Sequence, residues 1–320
     1  MRLSTLVLTG ALAATNAAGA PFLSQPVDCT LGETCFIQNY VDHDPGPGFR
    51  DFTCGLLGYD GHKGTDFGLP TIKDMLSGVA VLAAADGVVT GTRDGMIDRA
   101  ITPQNATQTK GRECGNGVVI NHGQGWVTQY CHMKQGSIAV AQGQQVKAGD
   151  TLGLIGLSGR TEFPHLHMSL RHNDVVSDPF QHGVRSDCNA TGEDLWSDPV
   201  AYVSGGLIEV AFAPAIPAFT DIKSGMAARQ TMPVNAKALV LFAHGFGSQK
   251  GDVLDFVLSG PQGEIMTQSV VIDKSQARYF RATGKRTPGT GWTAGQYQGT
   301  VTLSRQGKTL EVKNTTVILN

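Results

Sequence analysis

The sequence predicts an all-β chain in two domains, and three observations predict it. The 41 glycines punctuate short Val, Ile, Leu and Thr runs, with Asn and Asp at many of the breaks. That is the spacing of strands and turns. Helix signals are scarce. At 203–220 the composition breaks: Ser204-Gly205-Gly206 leads into a stretch holding Pro214 and Pro217, a linker or crossing strand. A chain of 320 residues leaves room for a domain of ordinary size on either side.

The N-terminus sets the compartment. Arg2, the apolar run from Leu6 to Ala14 and the small residues Ala17-Ala18-Gly19-Ala20 have the layout of a signal peptide. The run is too short to span a bilayer. Cleavage is expected between Ala17 and Ala20, because Pro21 disfavours a cut directly before it. The expected division is residues 1–20 signal peptide, 21–204 first domain and 205–320 accessory domain. The six cysteines agree with export, to the periplasm or the extracellular space. Cys29 and Cys35 are close enough for a local loop. Cys114 and Cys131 flank predicted strands whose hairpin pairing would bring them opposite each other. That leaves Cys54 with Cys188. A cysteine zinc site is the rival reading, but no C-x-x-C occurs.

In the first domain the predicted strands are 78–84, 87–91, 117–121, 126–131, 151–156 and 165–171. In the second they are 238–243, 253–258, 269–272, 299–304 and 309–318. The segment Gly291-Trp292-Thr293-Ala294-Gly295-Gln296-Tyr297 resembles the turn into a late strand of immunoglobulin-like sandwiches. A β-sandwich is therefore expected for 205–320.

The chemistry lies in two histidine clusters. His62-Lys63-Gly64-Thr65-Asp66 is an H-x-x-x-D, and His165-Leu166-His167 is an H-x-H preceded by Pro164. On a strand, H-x-H puts both imidazoles on one face. A turn at Gly64 would let His62 and Asp66 converge. Zinc takes imidazole nitrogen and carboxylate oxygen, and a catalytic site leaves one position open for water. His132 lies between the clusters in Tyr130-Cys131-His132-Met133.

On these motifs the chain resembles the lysostaphin-like (LytM-type) zinc endopeptidases, which cut peptide cross-links in bacterial cell walls. The resemblance runs from about Gly55 to Phe180. It takes in Val81 to Val89, the run Gly115-Asn116-Gly117-Val118-Val119-Ile120-Asn121-His122-Gly123, and Gly143, Val146, Gly149, Gly153 and Gly156. It implies an antiparallel β-sheet catalytic domain with a groove across it. It also implies one zinc per chain on His62, Asp66 and His167, with His132 and His165 as catalytic histidines, and peptidoglycan as substrate. Two departures stand out. Met168-Ser169 follows H-x-H where the family has an aromatic and then an acidic residue, which bears on support of the ligands. Arg160-Thr161-Glu162-Phe163 replaces a small-residue run, which bears on the substrate groove.

Other candidates are weaker. Asp42-His43-Asp44-Pro45-Gly46 with Asp51 offers oxygens for calcium, but without EF-hand spacing. It could equally wall the groove. His122, His172 and His182 read as surface or loop residues, His244 as structural, and Tyr130 as packed. The sequons at Asn105, Asn189 and Asn314 are expected bare. Residues 205–320 hold 12 Lys plus Arg against 7 Asp plus Glu, whereas 1–204 hold 13 against 20. Either this is noise on two solvated surfaces, or the second domain contacts an anionic envelope polymer. Neither half resembles a nucleic-acid binder, and no transmembrane segment is expected. The expected activity is zinc-assisted hydrolysis of peptidoglycan peptides. The alternatives are a non-catalytic wall-binding or regulatory protein on the same fold, and a secreted metallopeptidase acting on proteins.

Overall fold

Short apolar alternations in the first half pair as one antiparallel sheet. In this computed structural model residues 19–183, 188 and 192–320 are described. The expected signal segment up to residue 18 and the sequon at Asn189 lie outside the described residues. The elements of the first half are β1 (Phe36–Asn39), β2 (Thr65–Gly68), α1 (Ile72–Ser77), β3 (Ala80–Leu82), β4 (Gly87–Arg93), β5 (Asn116–Gly123), β6 (Trp126–Met133), β7 (Gln145–Val146), β8 (Thr151–Leu154), β9 (His165–His172) and β10 (Val175–Ser177). The main sheet runs β1-β2-β9-β6-β5-β4-β7, with β10 also on β9. The strands β3 and β8 pair separately. These strands pair antiparallel throughout.

The register matters for chemistry. Asp66 lies opposite His167, and Cys131 opposite His167 on its other side. Both histidine clusters are thus brought to the middle of one sheet. Beneath them Phe67, Leu166, Met168, Val118, Ile120 and Tyr130 form a dry core. Tyr130 is packed there, its hydroxyl accepting the Ala84 N–H at 2.8 Å.

In the second half the segment 203–220 crosses as a strand. It gives β11 (Gly206–Ala213) and then α2 (Phe219–Ser224), followed by β12 (Thr231–Met232), β13 (Ala238–Ser248), β14 (Val253–Gly260), β15 (Gly263–Val271), β16 (Gln276–Arg286), β17 (Gly295–Arg305) and β18 (Lys308–Leu319). They form two sheets, β11-β13-β16 and β12-β18-β17-β14-β15. Phe212, Leu239 and Leu241 of the first share a core with Leu254, Phe256 and Val301 of the second. Two sheets packed over one core make a sandwich. The Tyr297 hydroxyl donates to the Thr293 carbonyl at 2.8 Å, a local corner like that of immunoglobulin-like domains.

The two halves share more than a tether. Ile208 and Phe246, from β11 and β13, belong to the core cluster of the first half. The Phe246 ring lies 4.8 Å from that of Phe36 on β1. Part of the positive excess of the second half is used internally, Arg305 pairing with Asp252 at 2.9 Å. The disulfides are Cys29–Cys35, Cys54–Cys188 and Cys114–Cys131, the pairings expected from sequence. Among the described residues no helix is long and apolar enough to cross a membrane.

Candidate active site

Strand alternation and register bring three donors to one point. Nε2 of His62, Oδ1 of Asp66 and Nδ1 of His167 lie 3.2, 3.1 and 2.8 Å apart, counted as His62–Asp66, His62–His167 and Asp66–His167. Tetrahedral bonds of about 2.0–2.1 Å put ligands roughly 3.3 Å from one another, close to this spacing. The donor chemistry fits a metal as well. Two imidazole nitrogens and a carboxylate oxygen converge, with the other ring nitrogen of His62 and the other oxygen of Asp66 already engaged. His62 donates its Nδ1–H to the Tyr40 carbonyl at 2.6 Å, which turns Nε2 towards the site. Asn39 donates its amide to Oδ2 of Asp66 at 2.8 Å. Such outer hydrogen bonds fix tautomer and orientation at metal centres.

Gly64 contributes clearance. A Cβ there would stand 2.5 Å from the Met168 carbonyl oxygen and 2.7 Å from Nε2 of His167. The His167 ring lies where a side chain would be, so the glycine of H-x-G-x-D is needed for the ring more than for the turn.

Electrostatics follow from burial and proximity. Burial disfavours ionised Asp66, but His62 and His165 beside it hold its carboxyl well below the usual range. Burial also opposes protonation of His62, yet Asp66 outweighs it and the pKa rises. Burial pulls His132 and His167 down; for His132, the neighbouring His165 and His167 add to the shift.

His132 and His165 stand beside the three donors, their rings 4.7 Å apart. His132 donates its Nδ1–H to the Ser158 carbonyl at 2.8 Å, and His165 donates its own to the Phe163 carbonyl at 2.9 Å. Both therefore keep Nε2 free, and that of His165 is 3.5 Å from Oδ1 of Asp66. His132 has a φ of 63°, an uncommon backbone state for a residue with a side chain. Its N–H donates to the Cys114 carbonyl at 2.8 Å, and its carbonyl accepts the Gly156 N–H at 3.0 Å. The Cys114–Cys131 disulfide closes the same corner.

Several neighbours carry no motif. Thr161 and Phe163 surround His165: Oγ1 of Thr161 is 3.1 Å from Nδ1, and the Phe163 ring stacks at 4.3 Å. The departure at 160–163 therefore supports a histidine. Tyr59, three residues before His62, places its ring 4.5 Å away and is more than half exposed. Met168 and Ser169 are buried.

The remaining candidates lie elsewhere. Asp42 accepts the N–H groups of Asp44 and Gly61, and Asp51 those of Thr53 and Gly55. His43 pairs with Asp178 at 2.7 Å. These acids fold a loop, and Asp42 ties it to the His62 carbonyl through its own N–H. Among the described residues, His62, Asp66 and His167 form the one group of this kind able to hold a metal. His122 bridges Asp86 and Thr128, His172 stacks on Trp126, and His182 bonds Ser177.

Residues 60–179, which hold all five of these histidine and aspartate positions, match the profile of Peptidase family M23. The chain carries a peptidase M23 domain. Its M23 segment is 37% identical over 109 residues to the peptidoglycan DD-endopeptidase ShyA of Vibrio cholerae, covering 34% of this chain and 20% of that one. It is 33% identical over 120 residues to the DD-carboxypeptidase/endopeptidase Mpg of Neisseria meningitidis, covering 37% and 22%. The match thus spans about a fifth of each relative. The catalytic domain of the prophage-encoded M23 protein EnpA from Enterococcus faecalis is 25% identical, with a TM-score of 0.33 over 48% of this chain and 95% of that one.

Proposed function

We propose that this chain is an exported zinc metalloendopeptidase that hydrolyses peptide cross-links of peptidoglycan. The observation that carries the reading is the convergence of His62, Asp66 and His167 within one M23 domain, with two further imidazoles alongside. His62, Asp66 and His167 would hold the metal. Bound zinc supplies a Lewis acid and a water acidic enough to lose its proton near neutrality.

The chain's own groups do the rest. His132 and His165 have fixed Nδ1–H tautomers, so Nε2 is the atom through which each takes or returns a proton. Burial and adjacent imidazoles keep His132 neutral, suiting its Nε2 to accept a proton. His165, its ring 4.7 Å from that of His132, would face the charge developing on the scissile carbonyl oxygen. No helix-borne glutamate base is needed. Relatives named as peptidoglycan endopeptidases support the substrate class. Three disulfides support an oxidising compartment.

The test is digestion of purified sacculi, with casein in parallel and products read by mass spectrometry. Chelator-sensitive release of cross-linked peptides from sacculi, with casein intact, is expected. Cleavage of casein alone would make it a general protein peptidase. Sacculus binding without cleavage by a zinc-loaded protein would make it a wall-binding protein. Zinc content of His62→Ala, Asp66→Ala and His167→Ala is expected to fall to background, and full occupancy in any of them removes that ligand.

A further inference from the structure

We infer that Arg278 of the second domain is a positioning residue for His165, acting through the ring of Phe163. The inference rests on the catalytic reading of His165 given above. Arg278 lies on β16, in the sheet that packs against the first half. Its guanidinium carbon is 5.0 Å from the Phe163 ring centre and 5.5 Å from that of Phe36. One nitrogen donates to the Pro70 carbonyl at 3.2 Å. Nε is buried with no hydrogen-bond partner. No carboxylate pairs with this cation among the described residues.

Arg278 is half-buried, and a cation drawn out of water without a counter-ion is costly to keep. What compensates it here is one carbonyl and two aromatic faces, with the flat guanidinium suited to stacking. The Phe163 ring also stacks on His165, at 4.3 Å and 19°. The carbonyl of the same Phe163 accepts the His165 Nδ1–H. One residue therefore sets both the tautomer and the tilt of the imidazole, and Arg278 is what its ring leans on.

Two further observations make the contact rigid. Gln38, buried on β1, donates to the carbonyl of Ala277 at 2.8 Å, which pins β16 beside Arg278. Gly68, the register partner of His165, leaves only a tight fit for a Cβ: Phe36 would be met at 3.0 Å and Phe163 at 3.3 Å. The rings are wedged between β2 and the arginine. The second domain thus supplies one wall of the catalytic histidine's seat.

The experiment uses the full chain loaded with zinc. Arg278→Met keeps the apolar stem and removes the charge and plane; Arg278→Lys keeps the charge. For Arg278→Met, kcat on a soluble cross-linked muropeptide is expected to fall about ten- to a hundredfold, since small misplacements of a reacting group cost that much. KM should stay within about twofold and zinc at the parent level, with Arg278→Lys recovering part of kcat. In parallel, the imidazole NMR signals of His165 should shift or broaden while those of His62 hold. This second readout needs no turnover, so it stands even if the parent proves inactive on peptidoglycan. Unchanged His165 signals overturn the inference whatever the activity. A raised KM at constant kcat overturns it too, making Arg278 a substrate contact, and loss of zinc makes it a fold determinant. If Arg278→Met does not fold, Arg278→Lys carries the same readouts, with a smaller fall expected in kcat.

Discussion

Asn39 donates its side-chain amide to Oδ2 of Asp66 at 2.8 Å, leaving Oδ1 to face the imidazoles of His62, His167 and His165. The aspartate's two oxygens are thereby given different tasks. Outer-sphere partners of metal ligands typically change affinity by about ten- to a hundredfold when removed. Asn39→Ala is expected to weaken zinc binding by that order, measured by competition with a chromogenic chelator. Affinity equal to the parent's would mean that Asp66 needs no such support.

The two histidines outside the donor triplet give a different signature. His132→Ala and His165→Ala are expected to keep zinc and lose kcat by roughly a hundredfold or more, as for removal of an acid, base or oxyanion donor. Metal analysis beside steady-state rates checks it. Turnover near the parent level in either variant would remove that residue from the chemistry.

These groups are unequally legible in the sequence. Strand alternation and the H-x-x-x-D and H-x-H spacings are local, so the sequence alone marks His62, Asp66, His165 and His167. The residues that orient them are long-range partners. Asn39 and Tyr40 come from β1 and the irregular segment after it, and Ser158 from a loop, with no spacing to mark them. The strand β16 escapes a reading by periodicity for another reason. Gln276-Ala277-Arg278-Tyr279-Phe280-Arg281 lacks polar-apolar alternation because Tyr279 faces the sandwich core, whereas on the other face Arg278 meets the first half and Phe280 packs on Phe219 of α2. A sheet face buried against a second domain carries charge and aromatics where a solvated strand would carry simple polar residues.

The corner at Cys114 and Cys131 yields the third expectation. His132 holds its φ of 63° between a hydrogen bond to Cys114 and the neighbouring disulfide. A conformation of that kind persists only where the surroundings enforce it. Replacing both cysteines with serine is expected to lower stability by about 2–4 kcal/mol. It should also lower kcat with zinc retained, as His132 relaxes. Urea unfolding and rate measurement check the two parts, and an unaltered kcat would mean that the hydrogen bonds alone hold the histidine.

The last expectation concerns the boundary between the halves. Glu209 on β11 and His244 on β13 are register partners and so share one face of their sheet. Burial pushes Glu209 up from 4.5 to about 7, with Asp74 adding to it and Lys73 opposing. Burial pulls His244 down from 6.5 to about 3, with Arg278 and Lys223 adding to it. Both ring nitrogens of His244 lack partners among the described residues. The signs then run in opposite directions. Glu209 has a raised folded pKa, so between pH 4.5 and about 7 the folded state holds the extra proton and stability falls as pH rises. His244 has a lowered folded pKa, so between 6.5 and about 3 the unfolded state holds the extra proton and stability falls as pH drops. Each slope is at most about 1.4 kcal/mol per pH unit, and less for the partly exposed Glu209. They offset each other between 4.5 and 6.5, so the pair hides its own pH dependence. Single variants should uncover it. Relative to the parent, Glu209→Gln is expected to gain stability as pH rises from 4.5 to about 7. His244→Leu should gain it as pH falls from 6.5 towards about 3. Urea unfolding of the full chain across that range measures both, and variant curves parallel to the parent's would mean that neither group is buried in the folded protein as described.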